Sequence, residues 1–473
     1  MTEDCPQNPT GCQRSRTGCF TCRRRKKKCD EIHPICGGCA RNHLPCQWVD
    51  HVYPTARRPR RRAHQTRFWP RGVAIPQELD GMVTVFAVPS RPILYRLLAH
   101  FTDCSPLWMS ISPGRRRSQF LRHIIPTALG QTLTMDCLLA VAAGDLMKYE
   151  MEEPELRMIA LELYGKAVAG LRTAISEELA SCAQTCSSDG IVLAVLLLCV
   201  HETHNFSDTS RLLPHLNAAA FLLKQRISLA PPDPDLRAFL LEVFCYFFSL
   251  TAFSHGPSLI LDLAAQIFDS IDHNTTQSLL LGQSQDLIIT IFRVTRLAKD
   301  LPCMPGPVLA ELANIEAQLA NDQMPGTAGE AYYDDDRVMY ELYRLSCLIY
   351  VKQTMDPLLP PRDAELQDIV DHFVAQLDSL PHDSPSNGLL AWPLVITGFY
   401  AVAPPHQRII LARLRLIYKT WRTDIFPQTV DYLRQFWGLG SVDKDRYLDC
   451  DGDDSRLPLG FRFQNLHLPT VLV

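Results

Sequence analysis

Six cysteines near the N-terminus have a spacing that suits metal binding. They form two copies of the pattern C-x2-C-x6-C, joined by six further residues, at Cys19, Cys22, Cys29, Cys36, Cys39 and Cys46. Two thiols separated by two residues lie on adjacent turns of one short helix, and the third returns to close a tetrahedral site of the kind that zinc prefers. The repetition of this half predicts two metal ions.

Two tetrahedral sites need eight ligand positions, so six thiolates suffice only if two of them bind both ions. The symmetry of the repeat assigns this bridging role to the first cysteine of each half, Cys19 and Cys36. The other two cysteines of each half then complete one site each. Both sites are closed to water, so the two zinc ions are expected to be structural. A single four-cysteine ribbon and chance spacing are the alternatives.

The segment 19–46 is too short to fold by burying apolar side chains. Metal binding is therefore expected to supply its folding free energy, about 10–16 kcal/mol for each structural zinc. The expected structure is a small metal-held domain with two short helices around a two-zinc, six-cysteine cluster.

Charge is distributed unevenly along the 473 residues. The first 72 residues contain 16 Arg and Lys but only 5 Asp and Glu, a net charge of +11, whereas the whole chain carries −4. Positive charge concentrated at one end indicates a polyanionic partner, such as double-stranded DNA.

Composition divides the chain into four segments. Residues 1–18 are polar and are expected to be disordered, and residues 19–46 hold the cysteine cluster. Residues 47–92 are rich in Arg and Pro and predict a basic linker with too many prolines for a coiled coil. Residues 93–473 predict a separate folded domain, since a chain of this length exceeds one hydrophobic core.

Residues 93–473 are predicted to form a large all-α domain. Apolar residues recur there three and four positions apart, and strand-like alternation is scarce. The helical stretches are Ile93–Phe101, Thr134–Lys148, Leu156–Ile175, Ile191–His201, Leu236–Leu250, Asp286–Lys299, Arg337–Lys352, Ala364–Leu377 and His406–Thr420. Nine cysteines follow residue 100, and we expect small buried apolar side chains there, because only Cys182 and Cys186 are paired in spacing.

The motifs of enzymes and membrane proteins are missing from the sequence. It has no nucleophile elbow, phosphate loop or dinucleotide fingerprint, and the run His201–His204 (HETH) lacks the H-E-x-x-H spacing of a zinc protease. The longest apolar run, Ile191–Val200, is too short to cross a bilayer and predicts a buried helix. The N-terminus has no secretory signal. We therefore expect no catalytic residues and no membrane partner.

The cysteine spacing, the segment Cys22–Asp30 (CRRRKKKCD) and the loop proline Pro34 together resemble the fungal binuclear zinc cluster family of transcription factors. Nothing between residues 19 and 46 departs from the family pattern. The resemblance implies two structural zinc ions, a nuclear protein, and regulation of transcription by RNA polymerase II.

The resemblance also implies how DNA is bound. The short helix opened by Cys19 and Cys22 would enter the major groove, where Lys26 would contact guanines of a CGG-type half-site. A Lys or Arg donating to guanine O6 and N7 discriminates by about 1–3 kcal/mol. Neighbouring basic side chains would hold phosphates without specifying sequence, and these are Arg23, Arg25, Lys27 and Lys28. A solvated charged face or a nuclear address is the alternative for this segment.

The second domain resembles the all-helical regulatory domain that accompanies one branch of this family. The match covers much of residues 93–440 and is carried by Leu94–Phe101 with Ser105–Trp108, Phe120–Leu129, Leu138–Met147, and Leu390–Leu394 with Gly398. The resemblance implies an all-helical domain that restrains or directs the DNA-binding domain. The transcription machinery or co-regulators are the expected protein partners.

The linker carries an arginine run that predicts nuclear import, at Arg57, Arg58, Arg60, Arg61 and Arg62. Loose phosphate contact and a merely solvated linker are the alternatives. Without a coiled coil, DNA binding as a monomer and as a homodimer joined through the helical domain are both open. The rival function is a protein-interaction adaptor or co-regulator that keeps the zinc fold without recognising DNA, and the intact segment around Lys26 argues against it.

Overall fold

The computed structural model describes residues 21–22, 25, 27, 29–30, 32, 35–44, 46, 91–108, 115–150, 153–180, 189–205, 211–255, 259–271, 284–322, 334–423 and 425–439. The chain divides into two compact units, Met1–Val73 and Ala74–Val473. The predicted disordered segment 1–18 lies outside the described residues, as does the predicted linker except for its last two residues. Arg91 and Pro92 are the first two residues of a helix. Proline is tolerated there because the first turn of a helix does not need its N–H group.

The first unit is built around cysteines. Among its described residues, Gly37–Ala40 form helix α1, and Thr21 and Cys22 are also helical. Four cysteine side chains are buried together, and Leu44 and Cys46 pack against them. The residues described in this unit therefore have a core of thiols.

The second unit consists of helices in the part of the chain that the structure describes. They are α2 Arg91–Trp108, α3 Arg115–Gly130, α4 Thr132–Met147, α5 Pro154–Ala180, α6 Gly190–Asn205, α7 Leu212–Arg226, α8 Pro234–His255, α9 Leu261–Phe268, α10 Gln285–Asp300, α11 Pro305–Asn321, α12 Asp334–Met355, α13 Ala364–Ser379, a 3-10 helix Pro385–Leu389, α14 Ala391–Tyr400, α15 Pro404–Trp421 and α16 Ile425–Phe436.

Four helices form the inside of this unit. Most residues of α4, α6 and α8 and all ten residues of α14 are buried, which fits their apolar residues on all sides. Helix α8 is long and apolar enough to cross a membrane by length and composition, but 89% of its most apolar window is buried inside the protein. Burial of this kind is typical of a core helix.

Local sequence fixes several helix ends. The Asp363 carboxylate accepts a hydrogen bond from the Leu366 N–H at 3.1 Å and so caps α13. Helix α15 starts with proline and ends at Trp421, and the next residue, Arg422, has a left-handed φ of 50°. Gly398 lets α16 approach α14 closely, since a Cβ there would lie 3.0 Å from the Leu433 side chain.

The predicted fold class, a cysteine-cluster domain followed by an all-α domain, is confirmed. All nine predicted helical stretches fall on observed helices, and one of them overruns its helix by a single residue at Lys148. The expectation of buried cysteines is wrong at Cys303, which is exposed, and at Cys104, which is half-buried; the other described cysteines of this unit are buried. Cys182, Cys186 and Cys450 lie outside the described residues.

Candidate metal centre and nucleic-acid interface

Five of the six sequence-predicted metal ligands are described, and they converge in the first unit. The side chains of Cys22, Cys29, Cys36 and Cys39 are each at most 5% exposed. Cys36 belongs to two groups whose ligand atoms all lie within 4.8 Å of one another, one with Cys22 and Cys39 and one with Cys29 and Asp30. The thiol of Cys36 is therefore close to ligands from both halves of the repeat.

The thiol separations fit zinc. Two sulfurs bound to one tetrahedral zinc ion lie about 3.8 Å apart, given Zn–S bonds of about 2.3 Å. The Sγ atoms of Cys22 and Cys36 are 3.5 Å apart, and those of Cys22 and Cys39 are 3.9 Å apart. In the sequence-based assignment, Cys22 and Cys36 bind the same ion, whereas Cys22 and Cys39 bind different ions.

The backbone after Cys36 brings the last cysteine back to the cluster. The Cys36 side chain caps α1 by accepting a hydrogen bond from the Cys39 N–H. Helix α1 is followed by His43, whose φ of 49° is left-handed, and the Leu44 N–H donates to the Cys39 carbonyl at 3.1 Å. This reversal leaves the Cys46 Sγ 3.3 Å from the Cys36 N–H, which donates to it. Cys19 lies outside the described residues.

Asp30 has a structural role that the sequence analysis did not assign. Its Oδ1 accepts hydrogen bonds from the Gly37 N–H at 3.1 Å and the Ile32 N–H at 3.4 Å. Gly37 is needed at this contact, because a Cβ there would lie 2.5 Å from the Asp30 Oδ2. The available signal was an acidic residue directly after Cys29 and a glycine directly after Cys36.

Two residues of the predicted DNA-binding segment are described, and both are exposed. The Arg25 N–H donates to the Thr21 carbonyl at 3.2 Å, and the Lys27 N–H donates to the Cys22 carbonyl at 3.0 Å. These bonds tie the exposed cations to the helical turn that supplies a buried thiol. The other predicted contacts, Arg23, Lys26 and Lys28, lie outside the described residues, as do the arginines Arg57, Arg58, Arg60, Arg61 and Arg62.

The side chains of the His201–His204 run make the contacts of buried structural polar groups. The Glu202 carboxylate accepts a hydrogen bond from the Tyr164 hydroxyl at 2.7 Å, and the His201 ring stacks on the Tyr164 ring at 4.5 Å. Burial alone would raise the pKa of Glu202, but hydrogen bonds from His201 and Tyr164 lower it below its usual value. The two histidines have different neighbours, since His204 lies beside Asp145.

A buried thiol cluster tied to an exposed basic turn, followed by an all-α unit, is the architecture of a zinc-dependent DNA-binding regulator. Residues 17–52 match the fungal Zn(2)-Cys(6) binuclear cluster domain, and residues 96–439 match the fungal specific transcription factor domain. The second match covers well over half of the chain. The chain therefore belongs to the family of fungal Zn(2)-Cys(6) transcription factors, whose members bind zinc and DNA and regulate transcription in the nucleus.

Curated relatives match short parts of the chain. The transcription factor lfc1 of Flammulina velutipes is 49% identical over 49 residues, which are 10% of this chain and 17% of the relative. A Zn(2)-C6 fungal-type transcription factor of Gibberella zeae is 53% identical over 36 residues, 8% of this chain and 7% of the relative. Arginine metabolism regulation protein II of Saccharomyces cerevisiae is 41% identical over 68 residues, 14% of this chain and 7% of the relative.

The chain thus spans less than a fifth of the length of each of these relatives. No solved structure matches the chain.

Proposed function

We propose that this protein is a sequence-specific transcription factor that recognises a CGG-type half-site and regulates transcription by RNA polymerase II. The observation that carries the proposal is the exposed basic turn at Arg25 and Lys27, which is hydrogen-bonded to the turn that supplies Cys22. A cation whose backbone is fixed to a metal cluster approaches DNA in one orientation, and a fixed orientation is a requirement of base recognition.

The basic residues divide into two roles. Lys26 contacts guanine O6 and N7 in the major groove and supplies specificity. Arg23, Arg25, Lys27 and Lys28 neutralise phosphates and set the register. Support for the second role comes from the exposure of Arg25 and Lys27, because side chains that contact phosphate must reach out of the domain.

The cluster holds two structural zinc ions, bridged by Cys19 and Cys36. The closeness of the Cys36 thiol to thiols of both halves supports a bridging role. Cys36→Ala should then release both ions from the cluster, whereas loss of a ligand used by one ion should release one. Metal analysis of the purified full-length variants tests the assignment, and a Cys36→Ala protein that keeps one tightly bound cluster zinc would contradict it.

The test of DNA recognition is selection of bound duplexes from a random pool by the zinc-loaded full-length protein at near-physiological salt. We expect enrichment of a CGG core, either singly from a monomer or in spaced pairs from a dimer joined through the helical domain. Lys26→Ala should reduce discrimination at the triplet by about 1–3 kcal/mol with zinc content unchanged. Lys419→Ala is the matched control, because Lys419 is an exposed lysine of the helical unit.

Salt-dependent binding without an enriched motif would favour the adaptor or co-regulator function instead. Lys27→Ala separates the two kinds of contact in the same assay. It should weaken binding to all duplexes about equally and make the dependence of binding on salt less steep, because one phosphate contact is lost.

The linker arginines direct nuclear import. Their position in a basic, proline-rich segment supports this role, since such runs are typical import signals. Replacing Arg57, Arg58, Arg60, Arg61 and Arg62 by alanine should move a fluorescent fusion of the full-length protein out of the nucleus. Unchanged nuclear accumulation would contradict the role. Co-regulators would bind the helical unit, which is the larger of the two.

A further inference from the structure

Metal-ligating side chains also meet in the helical unit, where α2 packs on α4. His100 and Cys104 are four residues apart on α2 and therefore share one face of the helix. The His100 Nε2 lies 2.8 Å from the Asp145 Oδ2 on α4, and the Cys104 Sγ lies 3.7 Å from the His100 Nδ1. One ligand atom from each of the three side chains lies within 4.8 Å of the other two.

The chemistry of this trio suits zinc and its relatives. Imidazole, thiolate and carboxylate are the zinc ligands of proteins, and neighbouring ligand atoms on a tetrahedral ion lie about 3.3–3.8 Å apart. The observed limit of 4.8 Å means that small side-chain movements bring the three atoms to these separations. We propose that His100, Cys104 and Asp145 form a binding site for a divalent ion of the zinc class, separate from the cysteine cluster.

The site contains a buried carboxylate that is paired with a cation. The Asp145 side chain is 1% exposed, and burial alone would raise its pKa, but hydrogen bonds from His100 and His204 and the charge of Lys148 hold the pKa below its usual value. Asp145 is therefore ionised at neutral pH, and a buried carboxylate needs a neighbouring positive charge. The Lys148 ammonium, 3.2 Å from the Asp145 Oδ1, supplies that charge.

Metal binding exchanges one counter-charge for another. Lys148 follows the last residue of α4, and its side chain is 11% exposed, so we expect its long aliphatic stem to let the ammonium turn towards solvent when the ion binds. The ion then takes the place of the ammonium beside Asp145, and the Cys104 thiol releases its proton to water as it becomes a thiolate ligand. Lys148 competes with the metal, and its removal should therefore strengthen metal binding.

The surroundings support a defined site with a fourth ligand. The Tyr149 ring contacts the His100 ring edge-on at 6.1 Å, and the Tyr149 hydroxyl donates to the Thr420 carbonyl at 3.0 Å. The His204 Nδ1, from α6, lies 3.8 Å from the Asp145 Oδ1. A water molecule or His204 would complete the tetrahedron. An ion held in this way cross-links α2 to α4 and stabilises the packing of α2 against the rest of the helical unit.

The test uses the full-length protein and Cd²⁺ as the probe, followed by cadmium-113 NMR. The chemical shift increases with the number of sulfur ligands, so a site with one thiolate is separated from the all-thiolate cluster. We expect one resonance of the wild-type protein to disappear in Cys104→Ser and in Asp145→Asn, with affinity for that ion reduced about 100-fold or more. Cys303→Ser, at an exposed cysteine, is the matched control and should keep every resonance.

Lys148→Gln separates a metal site from an ordinary ion-pair cluster. It removes the competing ammonium and leaves all three ligands in place, so Cd²⁺ affinity at this site should rise. A purely structural cluster would lose stability in this variant and gain no metal. Unchanged or weaker Cd²⁺ binding by Lys148→Gln, or identical spectra of the wild-type protein and a folded Cys104→Ser variant, would overturn the proposal. Circular dichroism establishes that each variant is folded.

Discussion

The two units of this protein have opposite interiors. In the described part of the cysteine-cluster unit four of the five cysteines are buried and Cys46 is half-buried, while Ile32 and Ile35 are 59% and 55% exposed. In the helical unit the largest buried side chain is Trp392, which is surrounded by other aromatic rings. We therefore expect the first unit to depend on metal–ligand bonds for its fold and the second on apolar burial.

Removal of zinc should have the largest effect on the first unit and almost none on the second. Removing zinc with excess EDTA should unfold the cysteine-cluster unit, because each structural zinc contributes about 10–16 kcal/mol in comparable peptides. Specific DNA binding should be lost with it. The helical circular dichroism signal should keep almost all of its intensity, since it arises from α2 to α16.

Readdition of zinc provides the control for chelation, because it should restore DNA binding without a change in helical signal. A cooperative loss of the helical signal on chelation at 25 °C would contradict the independence of the two interiors. Loss of DNA binding that zinc does not restore would point to thiol oxidation during the experiment.

Trp392→Ala should have the reverse effect. The Trp392 ring lies 5.9 Å from the Phe253 ring and 6.0 Å from the Tyr350 ring, with no exposed surface. Truncation leaves a large cavity and should destabilise the helical unit by about 3–5 kcal/mol. Urea denaturation followed by circular dichroism measures the loss.

The zinc content of Trp392→Ala should stay at the wild-type value. Phe436→Ala is the matched control, because Phe436 is a half-exposed aromatic residue of α16 and its truncation should cost much less. Equal destabilisation by the two substitutions would contradict the central place of Trp392 in the core.

The sequence allowed prediction of the fold class because both units carry strong periodic signals. The cysteine repeat predicted a cysteine-cluster domain, and apolar residues at three and four spacing predicted helical stretches such as Asp286–Lys299 within α10. Helix α14 was not predicted from periodicity, because its ten residues are apolar on every side and a short run of that kind does not separate helix from strand. Helix α9, with eight residues, is too short to show a period.

The candidate sites show the same division. The spacing of cysteines along the chain was enough to predict that these thiols cluster, and the structure brings five of them together. The His100, Cys104 and Asp145 trio was out of reach, because its ligands come from two helices whose packing is a tertiary event. The hydrogen bonds of Asp30 to Ile32 and Gly37 depend on a loop conformation that composition does not encode.

Gly37→Ala should cause a smaller loss, confined to the cysteine-cluster unit. The new Cβ would lie 2.5 Å from the Asp30 Oδ2, so the carboxylate must move and lose its hydrogen bond from the Gly37 N–H. A hydrogen bond to a charged group contributes about 1.5–3 kcal/mol. Competition for zinc with a metal-binding dye should show faster and easier release from the variant.

A double-mutant cycle provides the control for Gly37→Ala. In an Asp30→Ala background there is no carboxylate to displace, so adding Gly37→Ala should change zinc release little. Fully additive effects of the two substitutions would mean that the clash with Asp30 is not the cause.

The same substitution should have the opposite sign in the helical unit. Gly165 is exposed inside α5, and a Cβ there meets nothing within 4 Å. Alanine at this position lowers the conformational entropy of the unfolded chain, so Gly165→Ala should raise the free energy of unfolding by about 0.5–1 kcal/mol. Urea denaturation is sensitive enough to detect the gain, and zinc release should be unchanged. A glycine in the metal-held unit is thus required by a contact, whereas this glycine in the apolar unit only weakens its helix. Destabilisation by Gly165→Ala would mean that α5 needs the missing side chain for a contact made in solution.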